Sequence, residues 1–155
     1  MMAEPNLRQA GVVNVRFGLN VTVVEPVNIY GCSIGDNVFI GPFVEIQKGA
    51  TIGNGTKIQS HTFICDLVDI GEHCFIGHGV MFTNDKFSNG GPAQGNKELW
   101  CATKIGNHVS IGSGATILPV DICDNVVIGA GAVVTKNITT PGIYAGNPAR
   151  LLKNL

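Results

Sequence analysis

The sequence predicts an all-β chain wound as a left-handed parallel β-helix of triangular cross-section, with one extruded loop and a short capping helix at its C-terminal end. Three observations carry this prediction. Residues 34–82 divide into eight six-residue blocks, IGDNVF, IGPFVE, IQKGAT, IGNGTK, IQSHTF, ICDLVD, IGEHCF and IGHGVM, followed by Phe82. Every block opens with Ile, and its fifth residue is small or β-branched, from Val38, Val44 and Ala50 to Val68, Cys74 and Val80. The pattern lapses after Phe82 and returns at Ile105, Ile111 and Ile117. A period of six fits neither an amphipathic helix (about 3.6) nor a half-buried strand (2). It fits a solenoid in which each block is one short strand plus one corner, with about three blocks per coil. The left-handed winding departs from the usual right-handed crossover between parallel strands, and the strictness of the repeat is the reason to accept it.

Taken in order, residues 1–12 are expected to be an irregular start or a capping strand. Residues 13–31 read as a loosely repetitive terminal coil in which Phe17, Val23 and Ile29 already keep the six-residue step. The step from Ile29 to Ile34 is five. Within the regular run each Ile points into the prism, where its removal from water contributes roughly 1.5–3 kcal/mol. Corners call for positive φ, supplied at the fourth block position by Asn37, Gly49, Gly55, His61, His73 and Gly79. Pro26 and Pro42 fall where a corner or edge tolerates a missing N–H. Residues 83–103, TNDKFSNGGPAQGNKELWCAT, form the extruded loop, and loops of this length in compact folds are usually functional or disordered. This one carries the single tryptophan, Trp100, together with Phe87 and Leu99, which need burial or a partner. The second run holds another five-residue step, Ile117 to Ile122, before Ile128 and Val134. The repeat ends at Lys136. In the cap, about 140–155, Pro148 is placed to open a short helix, with Leu151, Leu152 and Leu155 facing the last coil. One domain spans 1–155.

Composition narrows the function. A net charge of −1 gives no basic surface for nucleic acid or anionic membranes. Sparse charge, 14% of residues, points to a surface partly covered by another copy of the chain. No apolar run reaches the length of a membrane-spanning helix, and MMAEPNLRQA lacks the apolar core of a secretory leader, so a cytoplasmic protein is expected. The five cysteines are unpatterned, with Cys65, Cys74 and Cys123 inside repeat blocks as packing residues. No CxxC pair offers a zinc site, and no metal is expected.

The hexapeptide blocks, the extruded loop and the closing GIYAGNPARLL together resemble the hexapeptide-repeat acyltransferases. Within them, NIYGC (28–32), IGPFVEIQ (40–47), IGHGVMFTND (76–85) and the tail are similar to the bacterial N-acetyltransferases that modify nucleotide-linked 3-amino sugars. The resemblance implies a homotrimer with active sites between subunits and acetyl-CoA in a groove between neighbouring prisms. It implies transfer to the 3-amino group of a UDP- or dTDP-linked sugar, such as a 2-acetamido-3-amino-glucuronate or a 3-amino-6-deoxyhexose, for surface polysaccharide assembly.

Residue by residue, the expected groove has small residues for the pantetheine arm at Gly112, Ser113 and Ala130. Lys136, Asn147, Pro148 and Arg150 stand at its phosphate end. The related O-acetyltransferases place a catalytic His where the repeat gives way to the loop; here that region reads Phe82-Thr83-Asn84-Asp85. Asn cannot act as a base, so Asn84 is expected to hold an amine acceptor, which needs orientation more than deprotonation. His78 and Asp85 complete the catalytic candidates, as base and as ligand of the ammonium or a sugar hydroxyl. Gln59, His61, Lys86 and Trp100 are candidates for substrate binding, the Trp by stacking, with Lys97 a further candidate for the nucleotide. His73 and His108 read as corner residues. Two other readings stay open: an O-acetyltransferase acting on a sugar or serine, and a non-catalytic or metal-binding β-helix trimer. For the latter, His61, His73 and His78 are spaced so that they do not converge within one chain.

Overall fold

The computed structural model describes residues 3–155, and its three parallel sheets are the three faces of a prism. The first face stacks Val12–Val13, Asn28–Tyr30, Glu45–Ile46, Phe63–Ile64, Met81–Phe82, Thr116–Ile117 and Val133–Val134. The second runs from Arg16–Phe17 to Asp121–Ile122, and the third from Thr22–Val23 through Val126–Ile128 to the C-terminal strands. The chain visits the faces in rotation, so the seven strands of the first face count the coils.

Most strands in the coils are only two residues long because each block supplies one outward and one inward residue before its corner. The inward residues register coil on coil. Ile29 pairs with Ile46 and Ile46 with Ile64 on the first face, and Ile40 with Ile58 and Ile58 with Ile76 on the third. The resulting ladders are closed to solvent, with Ile29, Ile46, Ile58, Ile64, Ile76 and Ile111 each at 0% exposure. The fifth block positions are buried with them, including Thr56 and Thr62. Cys32, Cys65 and Cys74 are buried, whereas Cys101 and Cys123 are half-buried, and all five are free thiols.

The corners follow the slot rather than the residue type. Asn37, His61 and His73 adopt positive φ as expected, and His108 does the same in the second run. Phe43 and Leu67 occupy the same slot at φ 61° and 68°. A left-handed bulky residue costs roughly 1–2 kcal/mol, and the stacked coils enforce it. Phe43 recovers part of this by stacking on His61, in the same corner one coil further on, ring centroids 4.9 Å apart.

From Phe17 onward, steps from second to third face and from third to first are always six residues. Every irregularity falls at the edge between the first and second faces. There lie the five-residue steps Ile29–Ile34 and Ile117–Ile122, and there the loop enters between Phe82 and Ile105. The ladder closes across the insertion, with Thr103 N donating to Leu67 O at 3.0 Å.

The tail differs from expectation. Instead of a capping helix, Gly142–Ala145 extends the third face parallel to Val126–Ile128, and Arg150–Asn154 returns antiparallel to it. Leu151, Leu152 and Leu155 are 45%, 68% and 66% exposed and do not cover the last coil. The physical reason is the edge: the last parallel strand leaves a row of backbone donors and acceptors open to pairing. A five-residue segment satisfies more of its own groups there than in one helical turn. Gly146, at φ 94°, lies in the reversal, which is pinned to the first face by Val133 N to Gly146 O (3.0 Å) and Ala149 N to Val133 O (2.8 Å). At the other end residues 3–11 carry no strand and Val12–Val13 caps the first face; the first two residues of that expected start lie outside the described residues. No helix among the described residues is long and apolar enough to cross a membrane.

Candidate functional site

The largest concavity lies on the outer side of the first face, under the extruded loop. Cys65, Thr83, Leu118 and Thr135 each follow an inward residue and so point outward by strand alternation. With Gln47 and Phe63 they form the floor of a cleft of about 600 Å³, walled by residues 84–87 and Trp100. Burial pushes the Cys65 thiol up to about 11, so it stays protonated at neutral pH and serves as packing rather than as a nucleophile.

The loop is tied at its root and across its span. Cys101 N donates to Asn84 O at 2.8 Å, and Asp85 bridges antiparallel to Trp100. The two Asp85 carboxylate oxygens accept from Phe87 N (2.8 Å) and Ala93 N (2.6 Å), and Ala93 is buried. A 3-10 turn at Lys97–Leu99, capped by the Asn96 side chain, places Lys97 Nζ 3.5 Å from Asp66 and 5.5 Å from the Trp100 ring. Asn84 stands one coil above Asp66 and donates its amide Nδ2 to the Asp66 carbonyl at 3.2 Å. That bond commits one of the two Nδ2 hydrogens of Asn84.

A second feature runs along the edge between the third and first faces. In the lower coils this edge carries Phe43 and His61; in the upper coils the same slot is Gly79, Gly114 and Gly131, all at positive φ with nothing within 4 Å of a Cβ placed there. The upper half of the edge is therefore a smooth backbone track. His78 stands beside it, Nδ1 2.9 Å from Ser60 Oγ, its backbone N–H directed at Ser113 Oγ (3.3 Å).

The patterns of known proteins match both halves of this construction: bacterial transferase hexapeptide (six repeats) over residues 31–66, and hexapeptide repeat of succinyl-transferase over 102–136. Both matched stretches are transferase hexapeptide repeats. It is 38% identical over 107 residues to the bifunctional protein GlmU of Clostridium perfringens (strain SM101 / Type A), an alignment covering 68% of this chain and 21% of the relative. The chain thus spans about a fifth of the length of such curated relatives. Among solved structures, a mutant of AntD, an N-acyltransferase from Bacillus cereus in complex with dTDP and coenzyme A, superposes with TM-score 0.67 at 26% identity. That match covers 94% of this chain and 84% of AntD. A mutant GDP-perosamine N-acetyl transferase from Caulobacter crescentus, in complex with CoA and GDP-perosamine, superposes with TM-score 0.73 over 88% of this chain and 58% of the other. At 19% identity it speaks for the left-handed β-helix fold alone.

In this hexapeptide-repeat chain the expected site residues separate into two groups. Asn84, Asp85, Lys86 and Trp100 gather at the cleft. Gln59, His61, His78, Gly112, Ser113 and Ala130 lie at or beside the smooth edge, and the Asn147-Pro148 turn sits at its upper end. His78 and Asn84 thus stand at opposite borders of the first face, six residues apart, at most roughly 20 Å along the chain. Asp85 spends both oxygens inside the loop, so its carboxylate shapes the loop. Lys136 follows Thr135 at the cleft side, away from the smooth edge, and Arg150 is exposed, donating to Ala149 O at 3.1 Å. His73 and His108 stack at 5.3 Å on the remaining edge. Among the described residues no three His, Cys, Asp or Glu side chains converge as metal ligands. Sequence reasoning missed Gln47, Phe63, Thr83, Phe87, Leu118 and Thr135 as cleft residues. Apart from Phe87, which lies in the loop, their outward slot was readable from the repeat, but nothing in it said which face the loop would cover.

Proposed function

We propose that this chain transfers the acetyl group of acetyl-CoA to the 3-amino group of a UDP- or dTDP-linked amino sugar. The observation that carries the reading is the Asn84 amide. With one Nδ2 hydrogen given to Asp66 O, the amide is held so that its carbonyl oxygen can accept from an amine N–H, and no group on it is a base. Apolar surface from Phe63, Phe87, Trp100 and Leu118 suits the flat face of a sugar, and Lys86 suits its diphosphate. The neutral amine attacks the thioester carbonyl, forming the C–N bond; the C–S bond breaks, and the departing thiolate takes the amine's proton. Such a reaction asks the protein for orientation and little proton chemistry. At Gly79, Gly114 and Gly131, whose N–H groups are spent on the preceding coil, the smooth edge offers the pantetheine arm a path along backbone without side-chain obstruction. Because edge and cleft border opposite sides of one face, the reading places the complete site between neighbouring copies of a trimer. AntD, crystallised with dTDP and coenzyme A, supports the ligand pair.

A hydroxyl acceptor is the second reading, favoured by His78: Ser60 orients its ring through Nδ1, as a general base requires. Thiol release from acetyl-CoA separates the two. The acceptors are UDP- and dTDP-linked 3-amino sugars, their 3-hydroxy counterparts, and serine. Release with the amino sugars alone is the expected result. Release with the hydroxyl compounds overturns the argument from Asn84 and transfers the reaction to His78.

A further inference from the structure

We infer that Lys97 and Asp66 are positioning residues for Asn84: their ion pair latches the extruded loop onto the corner whose carbonyl holds the Asn84 amide. This deepens the reading above and rests on it for the role of Asn84. Asp66 and Leu67 turn the chain from the first face to the second. In the two coils below, Gly31 and Gly49 make the same corner at φ 61° and 86°. Leu67 takes φ 68° in their place, a conformation that a bulky side chain enters only under constraint. Such a residue keeps its backbone only while its surroundings dictate it.

The loop touches this corner three times. Its start reaches it through Asn84 Nδ2, 3.2 Å from Asp66 O, and its end through Thr103 N, which donates to Leu67 O at 3.0 Å. Between these, Lys97 Nζ lies 3.5 Å from Asp66 Oδ2. The carboxylate is seated for that contact: its other oxygen lies so close over the coil below that a Cβ at Gly49 would meet Oδ1 at 2.8 Å. Lys97 Nζ also stands 5.5 Å from the centre of the Trp100 ring, so one ammonium ties a wall of the cleft to the corner that holds Asn84. The Asp66 side chain is 18% exposed and that of Lys97 66%. A pair this open to water contributes little to global stability, and neither partner belongs to the buried ladders. Its effect is local. Without it the middle of the loop is released, Leu67 is free to relax, and the Asp66 carbonyl turns from Asn84. The reaction as read depends on orientation, so that shift is felt in turnover rather than in binding.

The test takes the full chain with Lys97→Met, Asp66→Asn, both together, and Lys97→Arg. Trp100 is the single tryptophan, so acrylamide quenching of its emission follows the loop with no substrate present. Asp66→Asn leaves Lys97 and the carbonyl used by Asn84 in place, and a rise in quenching there reports the ion pair alone. Thiol release with the amino-sugar acceptors follows Asn84. Each single variant is expected to raise the quenching constant and to lower kcat about threefold or more. The KM values for acetyl-CoA and acceptor should stay within about twofold, the split that marks an interaction made in the transition state. Since both changes break one pair, the double variant should lose no more than either single, and Lys97→Arg should behave as the unmodified chain. Unchanged quenching in Asp66→Asn overturns the latch, and raised quenching with unchanged kcat overturns the positioning of Asn84. Losses that multiply in the double variant, or an acceptor KM that rises while kcat holds, give Lys97 to the ligand instead. The two readings fail separately: a chain that acetylates no amino sugar loses the reaction, while quenching still decides the latch.

Discussion

At residue scale, three threonines share a buried slot and differ only in what their hydroxyls meet. Thr62 Oγ1 donates to Gly77 O at 2.8 Å, and Thr56 Oγ1 donates to Gly71 O at 2.9 Å while accepting from Cys74 N. Thr103, 1% exposed, has no partner for its hydroxyl. A buried hydroxyl without a hydrogen bond costs about 1–3 kcal/mol, and removing one member of a satisfied pair costs about as much. Thr103→Val is therefore expected to raise stability by about 1 kcal/mol, and Thr62→Val to lower it by a similar amount. For a chain of this size that corresponds to opposite shifts of a few degrees in thermal midpoint; shifts of the same sign would defeat the argument. The repeat made the burial of this slot legible. It did not show which hydroxyl finds a carbonyl, because the partner belongs to a neighbouring corner whose geometry no single block encodes. The Asn84 orientation was hidden for the same reason, its partner being the backbone of Asp66, a coil away.

Among the elements, the ladders and the loop insertion were readable because the period is rigid and a lapse in it is visible. The tail was not. Its five closing residues carry no period, and their conformation is decided by the open edge of the third face, which exists only once the coils are stacked. The edges themselves divide labour. One absorbs every change of length, which frees the edge bearing Gly79, Gly114 and Gly131 to remain strictly regular. That regular edge can be tested as the cofactor track. The fold accepts Leu67 at φ 68° and Phe43 at φ 61° in equivalent slots, and a side chain at Gly114, φ 70°, meets empty space. Gly114→Leu is thus expected to fold with a loss of about 1–2 kcal/mol, and to raise the KM for acetyl-CoA at least tenfold while the acceptor KM stays within twofold. An unchanged KM for acetyl-CoA would move the cofactor elsewhere.

On the scale of the whole molecule, the separation of cleft and track across the first face decides how many chains make one site. Asn84→Ala removes the amine acceptor and is expected to lower kcat at least a hundredfold with acetyl-CoA affinity nearly intact; Gly114→Leu blocks the track. At acetyl-CoA concentrations far below the raised KM of Gly114→Leu, each variant alone should be nearly inactive. If a site joins the Asn84 cleft of one chain to the track of the next, subunits dissociated, mixed in equal amounts and reassembled create sites that take each half from the unmutated copy. In a closed ring a given oriented interface has that combination with a probability of about one quarter, so the mixture should recover about 25% of wild-type activity. A site completed within one chain gives no recovery, since every chain then carries one broken half. The size of the recovery thus measures the architecture: a quarter requires neighbouring chains, and none returns the reaction to a single prism, with a pantetheine arm spanning the first face from Ser113 to Asn84.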